Sequence, residues 1–167
     1  EMKDKVRAEY LRRVKCVAKS RLYAGNLIRG INAWAVSVVR YTAGVLDWTE
    51  IELKQMDVRT RKLLTMNGVF HLKSSVDRLY MKRNVGGRGL ISVRECVRGE
   101  EIALGEYVKS SEEWLLKVVA ESVEVGESKK EYKIRVERER SERLKEKRLH
   151  GKYSNGAVDF GAWRRYR

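Results

Sequence analysis

The chain has 167 residues, 43% of them apolar, enough for one ordinary domain with a real core or for a compact part plus an extension. Its 37 Lys and Arg outnumber 23 Asp and Glu, for a net charge of +14; such a surplus points to a polyanionic partner, because each phosphate neutralised releases condensed counterions. No run approaches the ~18 uncharged apolar residues of a membrane span. The opening Glu1-Met2-Lys3-Asp4-Lys5 has no apolar stretch behind it and does not read as a signal peptide. A start on Glu suggests a piece of a longer chain.

The charge is uneven. Residues 1–100 hold 21 Lys/Arg against 10 Asp/Glu, residues 101–127 hold 2 against 7, and residues 128–150 hold 10 against 5. This basic–acidic–basic order suggests that one face meets phosphate while the middle does something else. Cys16 and Cys96 are far apart, which is neither a disulfide framework nor a paired zinc spacing, and fits a reducing intracellular setting. The chain has no proline, so nothing of that kind interrupts long helices.

Residues 3–24 read as a first helix, with Val6, Tyr10, Val14, Val17 and Leu22 in one apolar stripe and Arg12, Arg13, Lys15 and Lys19 mostly off it. Gly25-Asn26 reads as a stop followed by an N-cap. A second helix then runs to about Val45, with a broad apolar face through Leu27, Ile31, Trp34, Ala35, Val38, Val39 and Thr42. Thr49 with Glu52 is a capping box that opens a third helix over 49–66. These three stripes need mutual burial, so a bundle is expected with Trp34, Val38 and Leu63 inside it.

Residues 69–90 show no helical period. Leu79-Tyr80 reads as an extended segment and Gly86-Gly87-Arg88-Gly89 as a tight loop. Ser92 with Glu95 forms a second capping box, and its helix weakens at Gly99 and Gly105 on the way to Val108. Ser110-Ser111 with Glu113 starts another helix carrying Trp114, Leu115, Val118, Val119 and Val123. From 128 to 150 charge dominates; Ile134, Leu144 and Leu149 are too sparse for a wide buried face. Pairs such as Glu131–Arg135 and Glu139–Arg143 support a long, exposed helix projecting from the bundle. The tail from Gly151 reads as loose. The fold class is therefore mainly α: a bundle in 1–66, a short irregular segment with a Gly-rich turn, then further helices ending in a long charged one.

No catalytic constellation emerges. His71 and His150 are the only histidines, and neither lies near a cysteine that would need it as a base. A Cys16/Cys96/His71/His150 zinc site exists on paper, but structural zinc ligands normally come in close pairs, so no metal or cofactor is expected. Asp47, Glu50, Glu52 and Asp57 gather around one helix start, where the helix dipole and capping explain carboxylates. The Gly86–Gly89 amides allow either an anion nest beside Arg83 and Arg88 or a plain turn needing positive φ. Arg59, Arg61 and Lys62 sit within one turn of the third helix, as phosphate ligands or as an ordinary solvated face.

Residues 56–93, MDVRTRKLLTMNGVFHLKSSVDRLYMKRNVGGRGLISV, resemble the region just after the polymerase palm in reverse transcriptases of non-LTR retrotransposons. The likeness is to the lineage that carries a zinc knuckle and a restriction-like endonuclease downstream. Its marks are a helix similar to RTRKLLTM, a DRLY stretch and a Gly-Gly-x-Gly-Leu turn. INAWAVSVVRYTAGVLDWTEIEL is similar to the preceding helix pair, and LKEKRLHGKY to a helix near the knuckle linker. The sequence departs from the pattern at Ser37, Leu72 and Lys82, where proline is frequent, and at Asn67, where His is frequent.

The resemblance implies a thumb and linker that hold the template–primer RNA–DNA duplex, or target DNA, by phosphate contacts. It offers Arg59, Arg61, Lys62, Arg83 and Arg88 as the nucleic-acid-binding residues. It divides the chain into a thumb-like bundle and turn (1–93), an acidic helical connection (94–127) and a charged helix with its tail (128–167). Without palm aspartates, knuckle or nuclease carboxylates, this piece would neither polymerise nor cut DNA alone; its parent, an RNA-directed DNA polymerase, would work in the nucleus. The competing expectations are a helical protein-interaction scaffold and an independent RNA-binding protein derived from such an element.

Overall fold

The computed structural model describes residues 1–20, 22–71, 73–121 and 126–150, the last three of them by backbone alone. The expected loose tail from Gly151, and Val123, lie outside the described residues. Among those described the protein is mainly α-helical, ending in a long charged helix.

Helix α1 spans Met2–Lys19 and buries Val6, Tyr10, Val14 and Val17, the stripe expected of it. It ends before Leu22, which is exposed. The second helix begins as α2, Ala24–Gly30, with Gly25 and Asn26 inside its first turn rather than before it. It passes through a π-helical turn at Ile31–Ala35 and continues as α3, Val36–Thr42. Helix α4, Glu50–Met66, opens on the full capping box: Thr49 Oγ1 accepts from the Glu52 amide, and Glu52 accepts from the Thr49 amide at 2.9 Å.

The π turn corrects the expected core. A π turn takes more than 3.6 residues, so side chains beyond it are rotated away from the positions of a straight α-helix. Ile31, Ala35, Val36 and Val39 are fully buried, whereas Trp34 is turned outward and remains 42% exposed. Val38 and Leu63 are half-buried residues packed against the core, not members of its centre. The same turn aims Asn32 inward. Its Nδ2 donates to the Gly89 carbonyl at 2.7 Å, and its Oδ1 accepts from the Ile91 amide at 2.9 Å. One amide side chain thus clamps a loop nearly sixty residues away, which an extended backbone needs when it lacks a neighbouring strand.

Residues 79–80 are not extended but close a short helix, α5 (Val76–Tyr80), followed by a 3₁₀ turn at Arg83–Val85. Helix α6 runs unbroken from Val93 to Ser110 through both glycines. Its first half enters the same core with Val93, Cys96 and Val97. Helix α7, Trp114–Ala120, buries none of its residues. Helix α8 covers Lys129–His150.

The long-range bonds fix helix directions. Lys3 and Arg7 reach Glu52 while Tyr10 reaches Thr60, so α1 and α4 run parallel. Arg13 meets Trp34 and Val17 meets Gly30, so α1 and the second helix are antiparallel. Lys129 meets Glu100 and Arg140 meets Glu95, so α8 lies antiparallel along α6.

Helix α8 therefore does not project from the bundle. Arg138 and Arg143 keep substantial exposure, but Arg140 is 6% exposed. Its guanidinium pairs with Glu95, donates to the Tyr80 carbonyl at 3.3 Å and sits 5.3 Å from the centre of the Tyr80 ring. Arg143 and Lys147 both reach Asp77 at the start of α5, at 3.1 and 2.8 Å. A sparse apolar pattern misses this docking because the docking is ionic. No helix of the described residues is long and apolar enough to cross a membrane.

Candidate nucleic-acid interface

Arg59 and Lys62 stand on the solvent side of α4 with no ion-pair or hydrogen-bond partner among the described residues. Arg61, between them, is turned the other way: its Nη1 donates to the Tyr80 hydroxyl at 3.1 Å. Helical periodicity places these residues relative to α1. Arg59 follows Glu52 by two turns on one flank of α4; Lys15, eight residues after Arg7, stands about 80° farther round α1, toward solvent. Because Arg7 and Glu52 are paired at 3.1 Å, the Arg7 flank of α1 and the Glu52 flank of α4 border the same furrow. Arg59 borders it farther along, and Lys62 stands one turn beyond Arg59 toward solvent. The α1 ridge above the furrow carries Arg12, Lys15 and Lys19, all exposed.

The lower end of the furrow is closed by the Glu52 carboxylate. Glu52 accepts from Thr49, Lys3 and Arg7, and the bonds from Thr49, then Lys3, hold its carboxyl at about 2, well below the usual range. The hydrogen bonds of Arg12 and then Arg13 hold Glu9 at about 2 as well. Positive charge is thus cancelled near the start of α1 and left unmatched at Lys15, Lys19, Arg59 and Lys62 among the described residues. The cleft between α6 and α8, about 330 Å³, is different. Its Arg94, Arg98, Arg135 and Arg143 are each matched by a carboxylate.

Arg83 and Arg88 are committed to the loop. Arg83 Nη2 donates to the Gly25 carbonyl at 2.6 Å and its Nε to the Arg88 carbonyl at 3.2 Å; Arg88 Nη1 donates to the Val69 carbonyl at 2.7 Å. The Gly86–Gly89 amides are spent too. They donate in turn to the carbonyls of Arg83, Lys82, Arg78 and Met81, at 3.1, 2.9, 2.9 and 2.8 Å. An anion nest needs amides pointing outward, so this is a plain turn, with positive φ at Gly86 and Gly89. Of the five basic residues singled out in the sequence, Arg59 and Lys62 share one flank, while Arg61, Arg83 and Arg88 pin α5 and its loop.

Trp34 is a surface group that the sequence pattern does not reveal. Its carbonyl accepts from Arg13 Nη1 at 3.0 Å, and the guanidinium carbons of Arg13 and Arg12 lie 5.1 and 5.8 Å from its ring centre. The π turn that breaks the period leaves no mark in the residue types. Cys16 is exposed within 3.9 Å of Arg12 Nη1, whereas Cys96 is buried and its thiol is pushed up by that burial. The two cysteines do not pair, and no group of three or more His, Cys, Asp or Glu among the described residues is arranged to hold a metal ion. No family model, curated protein or solved structure matches this chain.

Proposed function

We propose that the chain is a non-catalytic nucleic-acid-binding module, the thumb-like part of a reverse transcriptase as its resemblance implies, holding duplex by phosphate contacts. The observation that carries this reading is the unmatched cluster Lys15, Lys19, Arg59 and Lys62 along and above the α1–α4 furrow. Unpaired exposed cations of this kind gain from releasing counterions at a phosphate backbone, and cations already neutralised by carboxylates gain far less. Arg61, Arg83 and Arg88 act in this reading as braces for the neighbouring loop. Backbone contacts carry no base identity, so binding is indifferent to sequence.

The test is a salt titration of fluorescence anisotropy with a blunt RNA–DNA hybrid. Each phosphate contact contributes a log–log slope of roughly −0.9. Arg59→Ala with Lys62→Ala flattens the slope by up to ~2 units, and adding Lys15→Ala and Lys19→Ala flattens it further. An unchanged slope in the folded quadruple variant removes this face from the contact surface. Absence of binding by the folded wild type at low salt overturns the module reading.

A second reading is favoured by α7. Trp114, Leu115, Val118 and Val119 are 73, 59, 64 and 47% exposed, next to an apolar groove formed with Val45, Leu104 and Val108. Exposed apolar surface of this extent marks an interaction site. Its surroundings are acidic, with Asp47, Glu112, Glu113 and Glu121 exposed, which suits a basic amphipathic protein segment. Partner binding that is lost on Leu115→Glu but unaffected by Arg59→Ala with Lys62→Ala distinguishes this scaffold role.

A further inference from the structure

We propose that Trp34 is a stacking platform for the first unpaired base at the end of a duplex held on the α1–α4 furrow. The inference rests on the nucleic-acid reading above and adds a second mode of contact to it, through the base rather than the phosphate.

Three features of the Trp34 site carry it. The indole is directed outward by the π turn although Ile31 and Ala35 on the same turn are fully buried, so its exposure is a consequence of backbone geometry. The ring is also held in place before any ligand arrives. Arg13 Nη1 fixes the Trp34 carbonyl, and the two guanidiniums that lie over the ring are themselves fixed by Glu9. Arg12 Nε and Nη2 reach its carboxylate at 2.7 and 2.8 Å, and Arg13 Nε at 2.7 Å. A preorganised aromatic face loses little freedom when a base stacks on it. Finally, the path from the furrow is cationic. The furrow lies on one flank of α1 and Trp34 on the other, and the exposed ridge between them carries Arg12, Lys15 and Lys19. A strand leaving the duplex crosses that ridge with its phosphates over the lysines and brings its base to the indole. The carboxylate at this spot is that of Glu9, and its charge is outweighed by its two arginines.

Aromatic platforms flanked by basic groups bind unpaired strands in this way, each base stacked being sequence-tolerant because every base has a π face.

The test compares three short RNA–DNA hybrids of equal duplex length: blunt, with a brief unpaired overhang, and with the same overhang made abasic. Overhangs of both polarities are used. Wild-type chain binds the base-bearing overhang about 5- to 150-fold more tightly than the abasic one, the range for one stacked base. Trp34→Ala abolishes that difference while leaving the salt slope on blunt hybrid unchanged, and Trp34→Phe retains part of it. Equal binding of base-bearing and abasic overhangs by the wild type overturns the stacking proposal and leaves the phosphate reading standing. A Trp34→Ala variant that keeps the full difference overturns it as well. Failure to bind any of the three hybrids overturns both. The wild-type comparison uses no variant and can overturn the proposal however well Trp34→Ala folds, and Trp34→Phe locates the platform if Trp34→Ala does not fold.

Discussion

The carboxylate of Asp57, in the middle of α4, caps α6: its Oδ2 accepts from Ser92 Oγ at 2.5 Å, and its Oδ1 from the Val93 amide at 2.9 Å. Ser92 in turn accepts from the Glu95 amide at 3.4 Å. The orphan amides at the start of α6 are thus satisfied by Asp57 of α4 and by the helix's own N-cap, Ser92. Burial pushes Asp57 above its usual range, against the bonds from Ser92, Val93 and Arg94. Replacing it leaves buried donors without acceptors. Asp57→Ala should lower stability by about 1–3 kcal/mol, and Asp57→Asn, which keeps one acceptor, by less. Urea unfolding followed by circular dichroism measures both; equal stability of Asp57→Ala and wild type would refute the cap.

Arg140 anchors α8. Glu95, its partner, is pushed up by burial even with the guanidinium beside it. Removing one member of a buried pair strands the other. Arg140→Ala should cost about 2–3 kcal/mol, reduced from the fully buried case because Glu95 keeps some solvent. The double variant Arg140→Met with Glu95→Gln should recover much of that loss. Hydrogen exchange gives the direct readout: amides of 129–147 should lose protection in Arg140→Ala before those of α1 do. Uniform loss across the chain would mean that α8 is no separate unit.

Acid should unfold the protein through its first helix. Glu9 and Glu52 are held at about 2 in the fold, against an ordinary 4.5. A lowered folded value means that their contribution is present above about 4.5 and lost as the pH falls towards 2. Asp57 and Glu95 are shifted the other way, so protonation favours their folded form and they oppose the loss. Melting temperatures from neutral pH downward should decline through that window. Glu52→Gln should show a lower plateau and a flatter decline. A decline of undiminished steepness in Glu52→Gln would clear Glu52 of the role.

Gly87 is required for space and Gly86 for conformation. A Cβ at position 87 would lie 2.0 Å from the Met81 carbonyl oxygen, so backbone must move. At Gly86, with φ 84°, a Cβ meets nothing within 4 Å and the strain is conformational alone. Gly87→Ala should therefore cost about 3 kcal/mol and Gly86→Ala about 1 kcal/mol. Thermal unfolding ranks the two; the reverse order would contradict the close approach at Met81.

What the sequence disclosed was local. The Thr49–Glu52 box is written in four residues, and the α4 and α8 boundaries follow from adjacent stop and charge signals. The stripe of α1 is legible because α1 is regular. Where a residue's role depends on a distant partner, pattern fails. Asn32 looks like any helix-surface amide until Gly89 and Ile91 arrive against it. Glu95 completes the Ser92 box in sequence, yet its carboxylate turns to Arg140, so only half of that box forms. Arg61 and Arg59 look alike two residues apart, and packing against Tyr80 alone separates them. Trp34 falls on the buried face only if an unbroken 3.6-residue period is carried across Ile31–Ala35.

The contrast between the two thiols gives the molecule a ready reporter position. An environment-sensitive maleimide dye added to the native chain should attach to Cys16 and spare Cys96, with no substitution needed. Cys16 shares the exposed side of α1 with Arg12, one turn from Lys19, so the dye would sit beside the ridge over which a nucleic-acid strand is proposed to pass. Hybrid binding should then change its emission. Denaturant should expose the second site, so the count of modified sulfurs per chain, read by mass spectrometry, doubles as a measure of how often the core opens.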